Sequence, residues 1–234
     1  MRPLTKLLAL ALIAGLGFST LPAAADEAKP FITAADLDLV RILPPPPAND
    51  SAKTKAELGE VLTLQVTRTP EMEARAKADA EENVWRFADV MGPKFASENL
   101  PKFSAFFARV VETEGAVVDP AKSVWKRPRP HQLSDLVHPA VPMSKSGGWP
   151  SGHATVGTLM GIVLSDMVPE KRAEIMARAW EFGDNRVIGG IHFRSDVEMG
   201  RIAGSLIAAN IMTRDDFKAE YEVARTELRS DLGM

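Results

Sequence analysis

After Pro150 the chain reads SGHATVGTLMGIVLSDMV, and nothing between His153 and Met167 signals a turn before Pro169. So long an apolar run reads as a helix rather than a strand. A helix apolar on every side has to be buried. The other periodic segments are helical as well. SAKTKAELGEVLTLQVTRT predicts a helix starting near Ser51, with Leu58, Val61, Leu62 and Val66 at helical spacing. PEMEARAKADAEENVWRFADVMG opens with proline and early acids and is rich in Ala and Glu, which predicts a helix from Pro70. LPKFSAFFARVVETEGAVVDPAKSVWKR holds one or two helices, with Phe103, Phe106, Phe107 and Val110 on one stripe. Further helices are expected over 152–167, about 169–188, about 193–212 and about 214–230. There are no repeats, alternating strand runs or hairpin signals. The expectation is an all-α fold, one compact helical domain with a core helix bundle.

The first 25 residues stand apart from this domain. Arg2 and Lys6 precede the apolar stretch Leu7–Phe18, and Ala23 and Ala25 form an A-x-A cleavage site. This pattern predicts a signal peptide over 1–25 and a mature domain over 26–234, exported to the periplasm. No other stretch is long and apolar enough to insert stably in a membrane. Removing 25 of 234 residues leaves 209, and takes away two basic residues and no acidic one, so the net charge moves from −3 to −5. An acidic chain of this kind argues against nucleic acid as a partner. It has no cysteine, which excludes disulfides, thiolate metal sites and a cysteine nucleophile.

The candidate chemistry is concentrated between residues 122 and 196. PRPHQLSDLVHPAVPMSKSGGWP (128–150) carries five prolines and reads as a long loop. It leads into Ser151, Gly152 and His153 at a predicted helix start. Ser151 suits an N-cap, and Gly152 lets backbone amides approach an anion. His192 follows the Gly189-Gly190 break and stands four residues before Asp196, a spacing that lets a carboxylate fix an imidazole tautomer. Of the other histidines, His131 and His138 read as exposed loop residues. In KSVWKRPRP, Lys126 and Arg127 read as a solvated basic face, whereas prolines on both sides of Arg129 fix its backbone and suit a bidentate oxyanion contact. With Lys122 and Arg186, the inventory is three cations, one helix N-terminus and two histidines, one of them backed by an aspartate. It lacks HExxH and the dense carboxylates of a magnesium site. The set fits phosphoryl transfer with no metal and no cofactor, the cations and amides supplying the charge.

Three blocks, Lys122-x6-Arg129-Pro130, Pro150-Ser151-Gly152-His153 and Arg186-x5-His192-x3-Asp196, resemble the signature of the type 2 phosphatidic acid phosphatase superfamily, which includes the vanadium haloperoxidases. With the leader, ILPPPPAND (42–50) and the length, the chain resembles the bacterial class A non-specific acid phosphatases. The resemblance implies a haloperoxidase-like fold and the hydrolysis of small-molecule phosphate monoesters, with transfer to alcohols open as a second outcome. It implies His192 as nucleophile forming a phosphohistidine, Asp196 as its orienting group and His153 as proton donor to the leaving alcohol. Lys122, Arg129, Arg186, the Ser151 hydroxyl and the Gly152 amide would hold phosphate oxygens. A homodimer or higher homo-oligomer is compatible with it. Asn185 stands where the family usually has serine, and Trp149 where close relatives often have tyrosine; both bear on rate and preference rather than on reaction class. A vanadate-dependent peroxidase and a non-catalytic phosphate binder remain the alternatives.

Overall fold

A computed structural model describes residues 28–234, so the expected signal peptide lies outside the described residues. Among those residues every regular element is helical. The first are α1 (Leu39–Ile42), α2 (Ala52–Thr67) and α3 (Pro70–Ala78). A 3₁₀ turn (Val84–Phe87), α4 (Ala88–Met91), α5 (Pro101–Trp125) and α6 (Pro130–Leu133) follow. The apolar run forms α7 (Gly152–Met167). After a 3₁₀ turn at Pro169–Lys171 come α8 (Arg172–Ile188), α9 (Arg194–Ile211) and α10 (Asp215–Leu232). No described helix is long and apolar enough to cross a membrane.

Helix α7 is the axis of the bundle, and α5, α8 and α9 pack around it. Val156, Leu159, Met160, Val163 and Leu164 along it are fully buried. Two glycines set how closely its neighbours approach. A Cβ on Gly161 would stand 2.5 Å from Ala179 Cβ on α8, and one on Gly200 would stand 2.5 Å from the Ser151 carbonyl. The second contact brings the start of α9 onto the start of α7, and Ser151 N–H donates to the Asp196 carbonyl at 3.0 Å.

The stretch 101–125 is one helix despite Pro120 in its interior. Pro120 has no N–H to offer the Ala116 carbonyl, and that carbonyl accepts instead from Ala34 N at 3.1 Å. The predicted stripe is buried: Phe103, Phe106, Phe107 and Val110. On α2, by contrast, Val61 is buried but Val66, at 80% exposed, is not. The helix reaches the core only near Val61, whose cluster includes Val137, Ala154, Val187 and Val197.

The Ala- and Glu-rich stretch from Pro70 is not one helix. It ends at Ala78 because Asp79 turns inward, where its fully buried carboxylate accepts from Arg86, Arg178 and Asn185. Helix propensity amounts to a few tenths of a kcal/mol per residue, whereas an unpaired buried charge costs several. The interruption has a consequence for chemistry, since it lays residues 80–82 against the start of α7.

Candidate active site

The eight predicted residues converge where the N-termini of α7 and α9, the ends of α5 and α8 and the loop 126–150 meet. His192 is buried and held from two sides. Its Nδ1 lies 3.2 Å from Asp196 Oδ2, and its Nε2 lies 2.8 Å from Arg129 Nη1. A guanidinium can only donate, so Nε2 carries the lone pair and Nδ1 the proton. Burial holds this imidazole well below the ordinary histidine range, and the charges of Arg129, Arg186, His153 and Lys122 push the same way. The ring is therefore a neutral base whose Nε2 lone pair accepts from Arg129 and faces the cations.

Arg129 is aimed by the loop. Between Pro128 and Pro130 its backbone is extended, and its side chain donates to the carbonyls of Ser146 (3.0 Å) and Ile191 (3.1 Å). Arg186 is also buried, yet its Nε and Nη1 have no partner among the described residues. Burial lowers it to about 10, still far above neutrality. Lys122 closes the cation set and pairs with Asp119 at 3.0 Å. Ser151 caps α7, its Oγ accepting from Ala154 N at 3.3 Å. Gly152 is the first helical residue, so its N–H has no acceptor within the helix. His131 and His138 stay outside this cluster; His131 is partly buried rather than an exposed loop residue.

Sequence reasoning missed four side chains and one backbone carbonyl. Glu82 Oε1 lies 2.7 Å from His153 Nδ1, and the Ala80 carbonyl faces His153 Nε2 at 3.1 Å. Burial would raise the Glu82 carboxyl, but the hydrogen bond and charge of His153, with Lys122 and Arg186, outweigh it and hold it below the usual carboxylate range. Arg127 corrects the expectation of a solvated basic face. Lys126 ends α5 in the left-handed region at φ 47° and is exposed. The chain reverses there, and Arg127 turns inward to 2% exposure. Its Nη1 donates to Asp196 Oδ1 (2.5 Å) and Ser195 Oγ (2.8 Å), and its Nη2 to Glu57 Oε2 (3.2 Å). Glu57 and Ser195 complete that buried network, in which Glu57 also accepts from the Ser195 amide and hydroxyl. Burial raises the Asp196 carboxyl to about 7, although Arg127 and the Phe193 amide pull it down. No local feature separates Arg127 from Lys126 in sequence; only the reversal at Lys126 does.

Of the two departures, Asn185 donates to Asp79 Oδ2 at 2.7 Å and so ties α8 to the turn that carries Glu82. Trp149 is buried, and its indole N–H donates to the Pro44 carbonyl at 3.2 Å, which docks the polyproline segment on the site loop.

A helical fold that brings together a buried and a partly buried histidine, a helix N-terminus and converging cations can hold an oxyanion. The chain belongs to the PAP2 superfamily, which matches residues 104–219, and among its members it groups with the class A non-specific acid phosphatases. It is 32% identical over 195 residues to the non-specific acid phosphatase of Salmonella typhimurium, covering 80% of this chain and 78% of the relative. The non-specific acid phosphatase of Providencia stuartii is 27% identical, with coverages of 82% and 81%. Among solved structures, a bacterial vanadium-dependent iodoperoxidase superposes with a TM-score of 0.54 at 22% identity, over 73% of this chain and 51% of that one. A transmembrane PAP2-type phosphatidylglycerolphosphate phosphatase from Bacillus subtilis gives 0.51 at 18%, over 78% and 92%. These two share the fold. The protein is a phosphatase.

Proposed function

We propose that this phosphatase is an exported enzyme that hydrolyses phosphate monoesters through a phosphohistidine on His192. One observation carries the reading: Nε2 of a buried, neutral His192 is an unprotonated lone pair held among Arg129, Arg186 and Lys122. The two unpartnered donors of buried Arg186 support it, because a buried guanidinium with free N–H groups is costly until an anion pairs with it.

The phosphoryl group binds against Arg129, Arg186, Lys122 and the first amides of α7. The Nε2 lone pair attacks phosphorus, and the bond to the ester oxygen breaks. Both ring nitrogens of His153 face acceptors, an arrangement that an imidazolium satisfies. The Nε2 proton is tied to the Ala80 backbone. The Nδ1 proton is held by the partly exposed Glu82 and is the one delivered to the leaving oxygen, which displaces that carboxylate. The resulting neutral His153 then takes a proton from water as the water oxygen attacks phosphorus. The P–N bond breaks, phosphate leaves, and both histidines return to their starting states. An alcohol in place of that water gives phosphotransfer by the same step. Asp196, fastened by Arg127, holds the Nδ1 proton of His192 throughout and stabilises the positive ring formed on attack.

The leader Arg2–Ala25 supports export to the periplasm. Rapid acid or alkaline quench with a phosphorus-labelled monoester tests the central step. Label is expected on wild-type protein, stable in base and labile in acid, and absent from His192→Ala. Label on His192→Ala would overturn the reading.

A further inference from the structure

Glu114 lies on α5, two turns before Lys122, and is 5% exposed. Its Oε1 is fully buried and has no hydrogen-bond partner among the described residues. A Cβ on Gly152 would stand 2.9 Å from Glu114 Oε1 and 2.8 Å from Lys122 Nζ. The carboxyl and the ammonium therefore flank the first residue of α7 together, although Lys122 pairs with Asp119 instead. An unsatisfied carboxyl at a helix N-terminus that would hold an anion needs an account. As a carboxylate it would repel the anion; as a carboxylic acid it is a donor.

We propose that Glu114 is a further substrate-binding residue, which as a neutral acid donates a hydrogen bond to a phosphate oxygen beside Lys122 and the Gly152 amide. The assignment rests on the anion site proposed above. Its surroundings favour that form. Burial pushes the Glu114 carboxyl up to about 8, Lys122 opposes this, and the carboxylates of Glu82, Asp119 and Glu112 reinforce it. The charged groups that act on it are Lys122, Asp119 and Glu112 on its own helix and Glu82 on the turn after α3. Across acidic and neutral pH the group is a donor, and above about pH 8 it becomes a buried negative charge next to the phosphate.

Calorimetric titration of the full chain with inorganic phosphate, from pH 5 to 9 in two buffers of different ionisation enthalpy, tests this. Glu114→Gln keeps a neutral donor and cannot ionise. At pH 6 it is expected to bind phosphate within about threefold of wild type, and Glu114→Leu roughly tenfold or more weakly, as for a lost hydrogen bond to a charged group. Above pH 8 wild-type affinity is expected to fall relative to Glu114→Gln, with one extra proton taken up on binding that the variant does not take up. Groups shared by the two proteins cancel in that comparison. Superimposable affinities and proton counts for wild type and Glu114→Gln would overturn the assignment. So would wild-type affinity in Glu114→Leu. Binding is the readout, so the result does not depend on whether turnover passes through a phosphohistidine.

Discussion

Replacing Arg127 tests the most unexpected feature of the site. The guanidinium is 2% exposed and joins two carboxylates, Asp196 (fully buried) and Glu57 (7% exposed), and the Ser195 hydroxyl. Arg127→Ala leaves those carboxylates facing each other in the interior without a counter-charge. Removing one partner of a buried ion pair costs about 3–5 kcal/mol. For a chain of this length each kcal/mol lowers the melting temperature by roughly 2–4 °C, so a drop of about 6–20 °C is expected. A side chain on a solvated face would change stability by no more than about 0.5 kcal/mol. Urea unfolding at pH 7, followed by tryptophan fluorescence, separates the two cases: the midpoint should fall at an unchanged slope. Lys126→Ala, one residue away and exposed, is the control and should stay within about 0.5 kcal/mol of wild type. Turnover should fall with Arg127→Ala too, because Asp196 loses the group that lowers its carboxyl and orients it toward His192. Arg127→Lys should rescue only partly, since one ammonium cannot reproduce the fork that spans Glu57, Ser195 and Asp196. If Arg127→Ala unfolds within about 0.5 kcal/mol of wild type, the ion network is not what holds Asp196.

Three further outcomes are expected. His153→Ala should lose far more kcat on alkyl or nucleoside monophosphates than on nitrophenyl phosphate, whose leaving group needs little protonation; equal losses in steady-state assays would remove His153 from the donor role. In kcat/KM against pH, the acid limb should lie well below 6.5, because burial and four cations resist protonation of His192 and the nucleophile stays free as pH falls. Activity should survive exhaustive chelation, since the charges facing the phosphate are Lys122, Arg129 and Arg186, and the described residues contain no group of three or more His, Asp or Glu placed to hold a metal; loss on chelation with rescue by a divalent cation would refute it.

Much of the site could be read in the sequence because its constraints are local. Pro128 and Pro130 fix Arg129, Ser151 and Gly152 open α7, and four residues separate His192 from Asp196. Local chemistry of that kind is printed in adjacent letters. Helix class was legible for the same reason, from periodicity in α5 and the unbroken apolar run of α7. The exceptions came where a distant partner outweighed local preference. Pro120 did not break α5, because the Ala34 amide took the carbonyl it freed. Helix α3 stopped early, because Asp79 had Arg86, Arg178 and Asn185 to reach.

Sequence by itself therefore determined the helical class and the family, and nominated the eight residues that converge. Only tertiary structure decided how those residues are charged and aimed. Glu82 meets His153 across 71 positions, and Arg127 meets Glu57 across 70 and Asp196 across 69. Glu114 shares the Gly152 corner with Lys122. Nothing in a linear pattern distinguishes these carboxylates from surface ones. Burial does, because removing water makes each charge depend on the partner that folding places beside it.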